Sequence, residues 1–211
     1  MESSGMERIY RLADFIMKLA YLNLLAIFYT VIGLFIFGFF PALTALFYIV
    51  RKWLTGYSDI PITKNFWFAY KKEFVRSNVI GAILFLSGLL LFINLSIAEV
   101  VNEPIIRFSY YILLLVTILF ACMCLYVFPV YVHFNGSMVQ MFKNAFLFLF
   151  VQPIHTVCMV AGVIILYFML RFIPGLIPFF SMSIFAFIVM FFSLRKFERI
   201  VRVADSEVTQ A

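Results

Sequence analysis

The chain of 211 residues is too apolar and too poor in charge to fold as a water-soluble domain. Apolar residues make up 65% of it, charged residues 12%, and the mean hydropathy is +1.09. Soluble domains carry about 25% charged and about 45–50% apolar residues. The length indicates one domain, residues 1–211. Composition therefore excludes a soluble enzyme or binding module and predicts a polytopic integral membrane protein.

Stretches without charge predict about five membrane segments. A helix needs about 20 apolar residues to cross a hydrocarbon core of ~30 Å. Backbone groups in lipid must be hydrogen-bonded internally and no alternating strand pattern occurs, so the segments are predicted to be helices. The predicted fold class is all-α, a transmembrane helical bundle. The segments are residues 19–50, 78–98, 108–134, 144–170 and 173–194.

The first segment, residues 19–50, is too long for one upright helix and short for two full crossings. Pro41 removes a helical hydrogen bond, and Gly38 weakens the same region. The sequence therefore predicts a break at Gly38–Pro41. Two alternatives remain open: a single crossing followed by a short helix, or a re-entrant hairpin that returns Arg51 to its starting side.

Basic residues indicate the orientation, because Lys and Arg accumulate in cytoplasmic loops. With a single crossing, the N-terminus is best placed outside; with a hairpin, both termini lie inside and only Arg107 and Arg171 lie outside. Both alternatives place the 51–76 connector and the 195–211 tail in the cytoplasm. This bias accounts for the net charge of +6, so no nucleic acid partner is expected.

The 51–76 connector is predicted to contain an amphipathic helix. Asp59 ahead of Pro61 is typical of a helix start. Apolar residues then recur every four positions, at Ile62, Phe66, Tyr70 and Phe74. The pattern predicts a helix lying in the membrane interface, with its apolar side in lipid and its basic side towards anionic headgroups.

This connector is interpreted either as an anchor that steadies the bundle or as a docking surface for a cytoplasmic partner. The candidate docking or interfacial residues are Arg51, Lys52, Trp53, Trp67, Tyr70, Lys71, Lys72 and Glu73.

Several short motifs lie between residues 38 and 78: GFFPALTALF at 38–47, VRKWL at 50–54, DIPI at 59–62, FW at 66–67, YKKEF at 70–74 and SN at 77–78. With them, residues 20–81 resemble the YesL-like family of bacterial integral membrane proteins, a domain of unknown function. The resemblance implies a Gram-positive-type plasma membrane protein of about five helices. It also implies an association with oligosaccharide utilisation and binding-protein-dependent sugar importers, but supplies no catalytic or binding residues.

Side chains suited to chemistry are few. Cys122, Cys124, Cys158, His133 and His155 do not favour a metal site, because Cys122 and Cys124 point to different sides of a helix and His133 is over two turns away. The cysteines are expected to be buried small apolar residues. Amide side chains are expected to hydrogen-bond between helices: Asn23, Asn94, Asn135, Asn144 and Gln152.

Known enzyme and transporter motifs are missing from the sequence. It holds no nucleotide-binding glycine loop, no HExxH or GxSxG motif, and no signature of an importer permease. We therefore expect neither an enzyme nor a cofactor.

Three functional hypotheses follow. The favoured one is a non-catalytic accessory subunit of an oligosaccharide importer, with the lipid bilayer, permease and ATPase subunits as partners. The alternatives are a stand-alone small transporter or channel, and a lipid-binding or envelope scaffold; a homo-oligomer is left open. A water-filled path lined by polar residues would favour transport, whereas a dry, aromatic-packed bundle would favour a subunit.

Overall fold

The computed structural model describes residues 2–100, 104–134, 136–151 and 153–209, and these ranges contain helices and turns without a strand. Eight α-helices follow in chain order: α1 (Glu2–Ile32), α2 (Ile36–Leu54), α3 (Ile62–Lys72), α4 (Phe74–Val100), α5 (Pro104–His133), α6 (Met138–Val151), α7 (Pro153–Phe172) and α8 (Ile177–Thr209). A 3₁₀ turn, Pro174–Leu176, joins α7 to α8.

Among the described residues, six helical segments are long and apolar enough to cross a membrane: Met6–Ile32, Ile36–Leu54, Phe74–Val100, Arg107–His133, Pro153–Phe172 and Pro174–Leu194. The predicted all-α transmembrane bundle is confirmed. The expected number of about five segments becomes six, because residues 19–50 form parts of two helices rather than one. The predicted segment 144–170 likewise combines the end of α6 with α7.

The first two helices form an antiparallel hairpin. The Nζ of Lys18 on α1 lies 3.4 Å from the carbonyl oxygen of Ser58 and 3.5 Å from a carboxylate oxygen of Asp59, both in the loop that follows α2. The chain therefore returns to its starting side, as the hairpin alternative predicted, but each helix is long enough to span, so the hairpin is a pair of candidate spans and not a re-entrant loop. The short turn 33–35 separates the two helices.

The predicted break at Gly38–Pro41 was wrong in position, because both residues lie inside α2 and are buried. Pro41 has no N–H to offer the carbonyl of Phe37 four residues earlier. That carbonyl instead accepts a hydrogen bond of 2.9 Å from the side-chain amide of Asn78 on α4. A neighbouring helix thus satisfies the group that proline leaves free, and α2 continues unbroken.

The turn at residues 33–35 is tight. A Cβ placed on Gly33 would lie 2.3 Å from the Cα of Gly38, so the backbones of α1 and α2 are in contact there. Leu34 and Phe35 have positive φ angles of 58° and 61°. The N–H of Ile36 donates to the carbonyl of Leu34 at 2.7 Å, a γ-turn centred on Phe35. This turn, and not the proline, reverses the chain.

Helix α2 lies at the centre of the bundle and packs against α1, α3, α4, α5 and α8. Its residues from Pro41 to Phe47 are all buried. The ring of Phe47 stacks on Phe128 of α5 with centroids 5.9 Å apart and meets Phe185 of α8 edge-on at 6.3 Å. By contrast, α4, α5 and α7 expose many large apolar side chains, as expected of helices that face lipid.

Candidate functional site

The 51–76 connector carries the site, and its predicted amphipathic helix is α3. Phe66 and Tyr70, on the side predicted to enter lipid, are 0% and 4% exposed. Their rings lie 5.3 Å and 5.1 Å from the ring of Tyr29 on α1. The apolar side of α3 is therefore covered by protein and not by lipid. The four-residue periodicity predicts that this side is covered, but it does not distinguish the two kinds of cover.

Hydrogen bonds hold α3 against the hairpin. The hydroxyl of Tyr70 donates to the backbone carbonyl of Tyr29 at 3.1 Å. Burial, together with the neighbouring Tyr29, raises the pKa of Tyr70, so its hydroxyl keeps the proton that this bond requires. At the start of α3, Thr63 and Tyr21 share a hydrogen bond of 2.7 Å. Both ends of α3 are thus fixed to α1.

Opposite the buried side, α3 presents aromatic and basic side chains to the exterior. We call Lys64, Trp67, Phe68 and Lys71 the α3 outer face; the spacing of three and four residues places them on adjoining turns. Trp67 is 47% exposed and Phe68 57%. Trp67 also stacks on the ring of Tyr29 at 5.4 Å, so its orientation is fixed rather than free.

A polar cavity of about 160 Å³ lies where α2 and α5 end and α4 begins. We call its charged and phenolic lining the basic pocket: Arg51, Lys72, Glu73, Arg76 and Tyr131. The remaining walls are mainly apolar or aromatic: Thr44, Tyr48, Phe68, Ala69, Val132 and Phe134.

Two arginines of the basic pocket reach the end of α5 and the connection that follows it. An Nη of Arg51 donates to the carbonyl of Val132 at 2.9 Å, and an Nη of Arg76 donates to the carbonyl of Gly136. Cationic side chains are favourable at a helix C-terminus, where carbonyls lack helical partners. The Nε of Arg51 is buried and has no hydrogen-bond partner among the described residues.

One carboxylate faces the three cations of the basic pocket. The hydroxyl of Tyr131 donates to Oε2 of Glu73, and the Nζ of Lys72 lies 3.9 Å from Oε1. The guanidinium of Arg76 lies 5.3 Å from the ring centroid of Tyr131. Positive charge is therefore in excess in the pocket.

The structure distributes the predicted docking residues over different surroundings. Arg51, Lys72 and Glu73 line the basic pocket, Trp67 and Lys71 lie on the α3 outer face, and Tyr70 is buried: three separate environments. The other two residues sit at the end of α2. Lys52 donates to the side-chain oxygen of Asn65 at 2.9 Å, and Trp53 packs edge-on against Phe15 at 6.2 Å.

Sequence reasoning missed Arg76 as a member of the pocket and missed Tyr131 altogether. Arg76 follows Glu73 by three residues, and the junction of α3 and α4 lies at Glu73. In a continuous helix this spacing places both side chains on one face, which is the signal that could have identified Arg76. Tyr131 comes from α5, 58 residues after Glu73, and no local pattern relates the two.

The cysteines and histidines do not gather. Within the described ranges, no group of three or more His, Cys, Asp or Glu side chains is placed to hold a metal ion. The expectation that all cysteines are buried was wrong for Cys158, which is exposed on α7, and Cys122 and Cys124 are half-buried on α5. The exterior of this bundle faces lipid, so a small apolar side chain such as that of cysteine does not have to be buried in the protein.

Six apolar spans with an ordered basic connector define a multi-pass helical membrane protein. The family model described as "Protein of unknown function, DUF624" matches residues 19–95, which include Arg51, Glu73 and Arg76. Three proteins of Bacillus subtilis (strain 168) are similar over most of their length, each described as an uncharacterized protein.

The first of these relatives, YteU, is 38% identical over 190 residues, which cover 89% of this chain and 84% of YteU. YesV is 34% identical over 94% of this chain and 96% of its own length. YesL is 31% identical over 91% and 90% of the two chains. The chain therefore belongs to the YesL-like family. No solved structure matches it.

Proposed function

We propose that this protein is a non-catalytic accessory subunit of a binding-protein-dependent oligosaccharide importer. The observation that carries the proposal is the α3 outer face. Bonds from Tyr70 and Thr63 to α1 hold α3 in place, while Trp67 and Phe68 remain about half exposed. A rigid aromatic and basic face loses little side-chain entropy on binding, which favours docking of a partner.

The packing of the core favours an accessory subunit over a transporter or channel. Among the described residues, six polar side chains are buried, and each hydrogen-bonds to backbone or to another side chain of the bundle: Asn23, Thr44, Ser77, Thr156, Ser183 and Ser193. None of these side chains is left to line a water-filled path of the kind that transporters use. The stand-alone transporter therefore receives less support.

The choice of an importer as the partner rests on the family resemblance carried by residues 38–78. That resemblance implies the permease and ATPase subunits of the importer as the proteins bound. The proposed cellular location of the protein is the bacterial plasma membrane. With six crossings, both termini would lie on the side of the connector, together with all basic residues except Arg107 and Arg171. Basic residues accumulate on the cytoplasmic side, so the connector and the C-terminus are assigned to the cytoplasm.

The test is purification of the full chain from a Gram-positive membrane in mild detergent, with mass spectrometry of stoichiometric partners. Trp67→Ala and Lys71→Glu change the α3 outer face; Lys143→Glu, exposed on α6, is the matched control. We expect a permease or its ATPase to copurify with the parent chain and the control, and to be lost from both variants at unchanged membrane level.

Recovery of the chain alone, or only with copies of itself, would contradict the accessory function. Equal loss of partner from the Lys143→Glu control would show that the α3 outer face is not the docking surface.

A further inference from the structure

We propose that the basic pocket binds one phosphate group, presented by the headgroup of an anionic phospholipid. Among the described residues, the pocket holds Arg51, Lys72 and Arg76 against one carboxylate, that of Glu73. Clustered cations repel one another unless an anion lies among them. One such carboxylate leaves the equivalent of two positive charges uncompensated, and the phosphodiester of a lipid headgroup supplies one negative charge towards them.

Among the described residues, Arg51 keeps hydrogen-bond donors that the protein does not satisfy. Its only hydrogen bond among the described residues uses one Nη, on the carbonyl of Val132, while its buried Nε has no partner. A buried donor without a partner is costly, and such groups are rare in stable proteins. A guanidinium presents its donors as a planar fork that fits two phosphate oxygens. An oxygen next to Arg51 would satisfy the orphaned Nε.

Arg76 and Lys72 complete a set of donors on three helices. Arg76 is held over the ring of Tyr131 and bonded to the carbonyl of Gly136, so its guanidinium is fixed in place. Within the part of the chain that the structure describes, the Nζ of Lys72 has one ionic contact, 3.9 Å from Glu73. The cavity of about 160 Å³ has room for a phosphate group, since about 10–15 Å³ of such space suffices for one water molecule.

The position of the pocket favours a lipid over a free ion. Arg51 is three residues before the end of one candidate span, at Leu54, and Arg76 is two residues after the start of another, at Phe74. Headgroup phosphates lie at the depth where spans end, and basic pockets between transmembrane helices on the cytoplasmic side bind such groups. The exposed side chains of Phe68 and Val75 offer an apolar surface beside the pocket for the acyl chains.

The first experiment is native mass spectrometry of the full chain in detergent, with phosphatidylglycerol or phosphatidylcholine added in equal amounts. We expect one phosphatidylglycerol per chain to be retained in preference to phosphatidylcholine. Lys72→Gln should weaken that retention about five-fold, the effect of one basic residue near a membrane surface. Arg171→Gln, at the far end of α7, removes equal charge and should leave retention unchanged.

Lys72 is chosen for substitution because its side chain is 64% exposed, and surface substitutions usually change stability by less than about 0.5 kcal/mol. Arg51→Gln serves as a second variant, to be interpreted only where its melting temperature stays close to that of the parent chain.

A second arm separates a lipid from a soluble source of phosphate. The melting temperature of the detergent-solubilised chain is measured with sodium phosphate and with sodium chloride at equal ionic strength. Stabilisation by phosphate that Lys72→Gln abolishes, without a preference for phosphatidylglycerol, supports a phosphate site filled from solution. A preference for phosphatidylglycerol alone supports the headgroup. Neither effect, or equal effects in Lys72→Gln and Arg171→Gln, overturns the proposal.

Discussion

The side-chain amide of Asn23 on α1 is inserted into the backbone of α8 at Pro178. Its nitrogen donates to the carbonyl of Pro178 at 2.7 Å, and its oxygen accepts from the N–H groups of Met182 and Ser183 at 2.8 and 3.0 Å. Pro178 and Met182 are four residues apart, so they would otherwise be partners in a regular helix. A fully buried side chain thus joins the first and last helices.

Asn23→Ala should destabilise the bundle by about 1–2 kcal/mol, since interhelical hydrogen bonds in membranes are worth about that much at most. The loss should appear as a lower melting temperature of the purified chain, followed by intrinsic tryptophan fluorescence. Asn94→Ala is the control, because Asn94 is exposed and, among the described residues, its side chain bonds only to Leu90 of its own helix. Equal shifts in the two variants would argue against a special role for Asn23.

These two asparagines also show what sequence can predict. The amides were expected to bond between helices, which is confirmed for Asn23 and wrong for Asn94; Asn135 and Gln152 lie outside the described residues. An amide in an apolar segment must find a partner, so the need for a bond is predictable. The partner of the amide is not predictable, because the carbonyl four residues earlier on the same helix can accept the bond as well as a group on a neighbouring helix can.

In the first segment and in the basic pocket, too, residues distant in sequence decide the local structure. Pro41 was expected to break its helix, but Asn78, 41 residues from the carbonyl that it satisfies, makes the break unnecessary. The clustering of basic residues in the connector was visible in the sequence. Their arrangement around a cavity depends on Tyr131 and Val132 of α5, whose position only the packed bundle determines.

Gly38→Val should disrupt the α1–α2 hairpin. A Cβ at Gly38 would lie 2.5 Å from the carbonyl oxygen of Thr30, closer than real contacts allow. Forcing a side chain into such a contact costs about 1–3 kcal/mol, so we expect lower membrane levels and a lower melting temperature. Gly88→Ala, whose Cβ would meet Phe120 at an ordinary 3.4 Å, should be tolerated.

If Gly38→Val and Gly88→Ala behaved alike, close approach of the α1 and α2 backbones could not be what Gly38 provides.

The six-span arrangement predicts which loops share a side of the membrane. In a chain whose native cysteines have been replaced, a cysteine at Ser58 or Ser137 should react with an impermeant maleimide only after the membrane is opened. A cysteine at Gly175, in the turn between α7 and α8, should react in intact cells. Labelling of Ser58→Cys and Gly175→Cys from the same side would refute the topology.

Glu73 and Tyr131 should be energetically coupled, because the tyrosine hydroxyl bonds directly to the carboxylate. Tyr131→Phe leaves a mostly buried carboxylate without that donor, and we expect a loss of about 1–2 kcal/mol. Glu73→Gln keeps an acceptor oxygen and should cost less. Once Tyr131→Phe has removed the hydrogen bond, Glu73→Gln has no bond left to weaken. The double variant should therefore lose less stability than the sum of the losses in the two single variants.

The double-mutant cycle also separates the structural role of this pair from phosphate binding. Glu73→Gln removes the one negative charge of the basic pocket while leaving its three cations, so retention of phosphatidylglycerol should rise even as stability falls. Additive stability losses within about 0.3–0.5 kcal/mol would show that the two residues act independently. Weaker lipid retention in Glu73→Gln would show that the carboxylate supports the site instead of opposing the anion.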